Sequence, residues 1–193
     1  MFCGDLFDRP IVPIQMLLQM AKRIDRFIDS ALFEFAKWLE SDGWRGKERD
    51  CINLFVMRFM VPKIGVEAAI FEASQIRIEG GVPQPTGYDR RAATKDLVIW
   101  RDPLAVAWNA KWEPENCPWV VLEWKTRRKG SFEGDFDKHD VEWLTAFTSQ
   151  NPGTFGYAIT VDFTAPNLKL HRAKFSDGVK QERLDIAKSK VSQ

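Results

Sequence analysis

Cysteine is scarce in this chain and histidine scarcer, with three of the first and two of the second among 193 residues. The cysteines, at positions 3, 51 and 117, form no C-x-x-C pair, so neither a disulfide framework nor a cysteine-rich zinc site is indicated. An odd count at that spacing suits a reducing compartment, and the cytoplasm is the expected location. With only His139 and His171 to draw on, no Ser/His/Asp or Cys/His arrangement presents itself, and there is no nucleophile elbow. Gly80-Gly81 lacks the spacing and the Lys-Ser/Thr ending of a phosphate-binding glycine loop. No apolar run approaches the length of a bilayer span. The opening segment, MFCGDLFDRP, is acidic and lacks the basic-then-apolar order of a signal peptide. Net charge is only +1, so no global field announces a polyanionic partner, and a nucleic-acid surface would have to come from local clustering.

What is present is enough apolar material for one core. Hydrophobic residues make up 45%, with eight Trp and fourteen Phe. From Pro13 to Glu40 the apolar residues Ile14, Leu17, Leu18, Ala21, Ile24, Phe27, Ile28, Ala31, Phe35, Trp38 and Leu39 follow helical spacing, and Asp42-Gly43 ends the run. A second helix is expected from about Lys47 to Met60, stopped by Pro62. Residues 64–79 read either way: VEAAIFEAS fits a helix, whereas QIRI alternates like a strand. LVIW (97–100) and WVVL (119–122) are short apolar runs of the kind buried on both faces of a sheet, joined by an extended loop over 103–117. Helical spacing returns over 136–150, followed by strands at 155–163 and 168–175. The polar end from Lys180 reads as a frayed helix or a loose tail. The division expected is a helical extension over 1–45, a core over 46–178 and a tail over 179–193. The fold class is α/β with a mixed sheet, since the helix between WVVL and FGYAITV permits a parallel crossover.

Alternation along WVVLEWKT places Glu123 and Lys125 on one face with Trp119 and Val121, so two opposite charges close a strongly apolar strand. A buried charge is costly unless it is paired or bound to metal. In the preceding run, Asp96 comes at the start and shares its face with Val98 and Trp100. If the two strands are neighbours, Asp96 and Glu123 converge. Convergent carboxylates suit Mg²⁺, which prefers hard oxygen ligands, and the backbone carbonyl of Trp124 offers one more. A nearby ammonium, Lys125, would orient an attacking water or neutralise developing negative charge.

Asp96 followed on the next strand by Glu123-x-Lys125 resembles the motif of the PD-(D/E)XK nucleases, although Lys95 rather than Pro precedes the Asp. The order of elements over roughly 46–163 resembles that family's αβββαβ core, a restriction-endonuclease-like fold with a mixed central sheet, here with an added N-terminal helix. The resemblance implies a Mg²⁺- or Mn²⁺-dependent nuclease with DNA as the expected substrate, Asp96 and Glu123 as metal ligands and Lys125 as the catalytic lysine. Glu48 matches the acid that family members often add from the helix before the sheet, and it equally suits a plain helix start. The basic residues Arg90 and Arg91 with Lys95, running into Asp96, and Arg127, Arg128 and Lys129, after Lys125, would contact phosphates at the two mouths of the site, although a solvated face explains such runs as well. Lys138 and His139, early in the following helix, would face the same site, though a solvated first turn explains His139 as well. The N-terminal helix is expected to pack on the core or to serve a homodimer. Two rivals stand beside the enzyme: a catalytically inactive nuclease-like fold that binds nucleic acid or protein, and a structural protein whose Trp and Phe mark a partner surface. An ordinary strand-end salt bridge is the plain alternative for Glu123 and Lys125.

Overall fold

A computed structural model describes residues 14–65, 68–129, 131, 134–164 and 168–186. The chain is mixed α/β. Six strands form one sheet in sequence order: β1 (Ile76–Pro83), β2 (Ala92–Trp100), β3 (Pro118–Arg127), β4 (Phe155–Asp162), β5 (Lys169–Ser176) and β6 (Val179–Ile186). All neighbouring pairs are antiparallel except β3 and β4, which are parallel because helix α3 (Lys138–Gln150) carries the chain back across the sheet. Helices α1 (Ile14–Asp42) and α2 (Glu48–Leu54) cover the opposite face from α3. Alternation explains both layers. Leu97, Ile99, Val120, Leu122 and Trp124 point toward α1 and α2, while Val98, Trp100 and Val121 point toward Trp143, Leu144 and Phe147 of α3.

The first helix is part of the core rather than an appendage. Ile24, Ile28, Ala31, Leu32 and Phe35 are fully buried against the sheet. A polar seam fixes its register: Asp25 accepts from the Tyr157 hydroxyl and pairs with Lys174 at 2.7 Å, and Asp29 pairs with the buried Arg172 at 3.1 Å. The second helix starts where expected but loosens into a π-helical turn over Phe55–Met60 and a 3-10 turn over Val61–Lys63, which contains Pro62.

One ambiguous stretch of the sequence is decided and one reading is corrected. VEAAIFEAS forms no α-helix in its described residues, only the start of a 3-10 turn over Ala73–Gln75: the buried Gln75 side chain takes the backbone N–H groups of Phe71 and Glu72 and donates to the carbonyls of Trp100 and Arg101. Those bonds fasten the segment to the end of β2 instead. The polar stretch after Lys180, read as a frayed helix or tail, forms β6 through Ile186. Asp177 and Gly178, both at positive φ (50° and 76°), make the two-residue turn that folds it onto β5. Its polarity is that of a strand paired on one side only.

Among the described residues no helix is long and apolar enough to cross a membrane. Cys3 lies outside the described residues, and Cys51 is buried and free.

Candidate functional site

The β2–β3 ladder runs from Trp100↔Pro118 to Leu97↔Leu122 and stops. Beyond it, Lys95 to Ala92 pair with β1, while Glu123 to Arg127 pair with β4. The two central strands therefore part, and the fork opens backbone groups inside the sheet. Asp96 sits at the split. Its Oδ2 accepts the backbone N–H of Trp124 at 2.6 Å, so a side chain replaces the main-chain acceptor that a continued ladder would have supplied. On β1, Glu79, which falls between the register pairs Ile78↔Leu97 and Gly80↔Lys95, adopts a positive φ of 54°, a strained conformation for a residue with a side chain.

The charged groups at the fork divide into two sets. Glu123, 6% exposed, accepts a hydrogen bond from Lys95, itself 5% exposed. The Lys95 ammonium also lies 3.6 Å from the centre of the Trp143 ring, and the Trp143 indole N–H donates to Gln84 at 2.6 Å. In the second set Lys125 is central. Its Nζ donates to the Trp124 carbonyl at 3.1 Å and lies 3.4 Å from Asp140, 3.6 Å from Glu48 and 3.9 Å from Asp96. Lys125 thus reaches three acids, and the amine beside Glu123 is Lys95.

Four carboxylates face two ammonium groups here, so the fully ionised cluster would carry two uncompensated negative charges. The acidities of three groups are shifted upward, chiefly by burial. Burial pushes Glu123 up to about 7, against the opposing pull of Lys95. Burial likewise raises Glu48 and Asp140, with Lys125 working in the other direction. For Lys125, burial would lower the pKa, but Asp140, Asp96, Glu48 and Glu123 outweigh it and hold the amine protonated far above neutral pH.

Among the described residues no three His, Cys, Asp or Glu side chains stand close enough together to hold a metal ion by themselves. Mg²⁺ does not require three, because it binds through one or two carboxylates and keeps waters or substrate phosphates as its other ligands. The donor set is all hard oxygen, and it is short of positive charge. In both respects these residues fit such an ion. No family model, curated protein or solved structure matches the chain.

The other residues expected at the site are placed less uniformly. Arg127 shares the face of Lys125 but is held by the Asp162 carboxylate and the Gly134 carbonyl. Arg128 lies 5.2 Å from the Phe163 ring and donates to the carbonyls of Gly46 and Arg45, tying the end of β3 to the turn that leads into Glu48. Lys129 is exposed. Arg90 and Arg91 are exposed on the turn before β2; five residues of strand put Arg91 roughly 16 Å from Asp96. Arg91 lies 5.4 Å from the Trp108 ring. Lys138 is turned to solvent and pairs with Glu142 at 3.6 Å, and His139 is exposed against Tyr88. The first turn of α3 instead sends Asp140 to the site.

One residue of this cluster was missed from the sequence and one was misplaced. Asp140 had a usable signal: it precedes Trp143, Leu144 and Phe147 by three, four and seven residues, which puts a carboxylate on the apolar face of its helix. Lys95, grouped with Arg90 and Arg91 as a phosphate contact, is buried and bonded to Glu123 instead. Simple alternation places it on the face opposite Asp96, and only the fork, where β2 leaves its regular pairing, lets it reach Glu123.

Proposed function

We propose that this chain is a divalent-cation-dependent nuclease that hydrolyses phosphodiester bonds of DNA, built on a restriction-endonuclease-like core. The observation that carries the reading is the fork. Asp96 and Glu123 stand on adjacent strands where those strands part, with Lys125 two residues beyond Glu123 and ringed by carboxylates. The succession α2, β1, β2, β3, α3, β4 agrees with the αβββαβ order of PD-(D/E)XK nucleases. Asp96 and Glu123, with the Trp124 carbonyl, would hold Mg²⁺ or Mn²⁺, and Glu48 would meet the ion through a water ligand. When bound, such an ion lowers the pKa of a water ligand and stabilises charge on the phosphodiester.

The chain's own residues have separable tasks. Asp96 takes the Trp124 N–H and the Lys125 contact on the same oxygen, Oδ2, which leaves Oδ1 for the cation. Lys125 stays protonated and offers its ammonium to the attacking water or to the charge that builds on the phosphate oxygens. The exposed Arg90, Arg91 and Lys129 supply phosphate contacts, while Arg127 and Arg128 secure the walls of the site.

One observation favours a second reading. Glu123 already has a buried partner in Lys95, as it would in a nuclease-like fold that binds nucleic acid or protein without cutting it. Labelled DNA and RNA, single and double stranded, incubated with Mg²⁺, Mn²⁺ or chelator, separate the two. Cation-dependent cleavage of DNA that disappears in Glu123→Gln supports the enzyme. Failure to cut any substrate with either ion would overturn it, and a Mg²⁺ titration without heat would also remove the metal site.

A further inference from the structure

Lys125 presents a difficulty that the metal-site reading leaves open. An ammonium 3.6 Å from Glu48 and 3.9 Å from Asp96 is a competitor for the oxygens a divalent cation needs. A third acid is nearer still. Asp140 Oδ2 lies 3.4 Å from Lys125 Nζ, on the opposite side of the sheet from α2. We propose that Asp140 is a positioning residue, a fixed anchor that holds the Lys125 ammonium off the metal-binding carboxylates and aims it at the substrate; this rests on the nuclease reading above.

The mounting of Asp140 supports the role. The residue is 7% exposed and belongs to the first turn of α3, where the Asp137 carboxylate accepts the backbone N–H groups of His139 at 2.8 Å and Asp140 at 3.4 Å. Three residues on, Trp143 is buried, stacked on Phe147 and bonded to Gln84, so the turn cannot swing. Glu48 is more exposed, at the very start of a seven-residue helix. Of the three acids around Lys125, Asp140 is both the closest to it and the most deeply buried. A buried acid on the apolar face of a helix has no packing purpose of its own, since an apolar residue there would bury at no charge cost.

The test is a double-mutant comparison with two readouts, Mn²⁺ affinity by calorimetry and the single-turnover rate on labelled DNA. Asp140→Asn keeps the shape of the side chain and removes its charge; Asp140→Ser serves if the amide variant folds poorly. Plain loss of one negative charge acts on Mn²⁺ whether or not a lysine is present, whereas release of the ammonium acts only where Lys125 remains. Asp140→Asn is therefore expected to weaken Mn²⁺ binding at least about fivefold more in the wild-type background than in Lys125→Met. Cleavage should fall about a hundredfold in the wild-type background and hardly change in Lys125→Met, which is already slow. Asp140→Glu should recover most of the rate.

Equal losses in the two backgrounds would overturn the role of Asp140 while leaving the nuclease standing. So would a folded Asp140→Asn that binds and cuts like wild type. A wild-type protein that neither binds Mn²⁺ nor cuts DNA would end both proposals together.

Discussion

The carboxylate of Asp96, one residue beyond the last register pair of β2 and β3, accepts the backbone N–H of Trp124, two residues beyond it, at 2.6 Å. One side chain therefore holds the two strands together at the point where they separate. The proposed metal ligand is also a piece of the sheet, and its substitution should affect fold and chemistry differently depending on what replaces it.

Asp96→Ala leaves the Trp124 N–H without its acceptor in a part-buried position, which should cost about 1–3 kcal/mol. Asp96→Asn keeps an acceptor and should melt close to wild type. Both should lose cleavage. Thermal melts run beside a cleavage assay check this, and an Asp96→Asn variant that still cuts normally would remove Asp96 from the ligand set.

Lys95→Met strands Glu123 in a nearly closed site. Breaking a buried pair from one side typically costs about 3–5 kcal/mol. Glu123 is already raised to about 7, so protonation should recover part of the loss. Saturating Mg²⁺ should recover more, because the ion compensates the carboxylate that the amine has left. The comparison is Tm with and without Mg²⁺, for wild type and variant. If Mg²⁺ raises both by the same amount, Glu123 does not take the metal.

Asp162 offers a pH test away from the site. Burial would raise its pKa, but the bonds from Arg127 and Thr164 prevail and lower it from 3.8 to about 2. A folded-state pKa below the unfolded one gives stability that is present above about pH 4 and lost as the pH falls toward 2. Asp162→Asn should thus be less stable at pH 7 by about 1–2 kcal/mol, with most of that deficit gone near pH 2. Denaturant melts at the two pH values decide it; the same deficit at both would show that the ion pair contributes nothing.

The basic residues should separate into two groups. Arg127→Ala breaks an internal pair, so stability should fall while the salt dependence of DNA binding stays the same. Arg90→Ala, Arg91→Ala and Lys129→Ala remove exposed cations. For each phosphate left without its cation, the slope of log K against log salt on duplex DNA should flatten by about 0.9. A flattened slope for Arg127→Ala alone would place the phosphate path along β3 instead.

Much of this arrangement was legible from residue spacing. The apolar runs around LVIW and WVVL mark the two central strands, and period-two alternation puts Val121 on the α3 face, as found; Trp119, expected on that face too, packs instead with Val120 and Leu122 on the α1 side, because the β2–β3 register shifts beside it. The second helix and α3 follow from helical periodicity, and the parallel β3–β4 pair from the helix between them. What spacing did not show came from features without a period. The β5–β6 hairpin depends on two residues at positive φ, and the segment before β1 is set by one glutamine that bonds to four backbone groups. The partner of Glu123 depends on a break in strand pairing, which alternation along a single strand cannot express.

The most direct test is the single-turnover cleavage of labelled DNA by Lys125→Met, measured beside Mg²⁺ calorimetry on the same preparation. A group that acts in the transition state can be removed with little effect on what binds beforehand. The variant should stay folded, bind Mg²⁺ at least as well as wild type because a competing cation has gone, and cut about a thousandfold more slowly. Cleavage near the wild-type rate, or a loss of folding that Mg²⁺ does not repair, would make Lys125 a structural counter-ion and contradict the proposed active site.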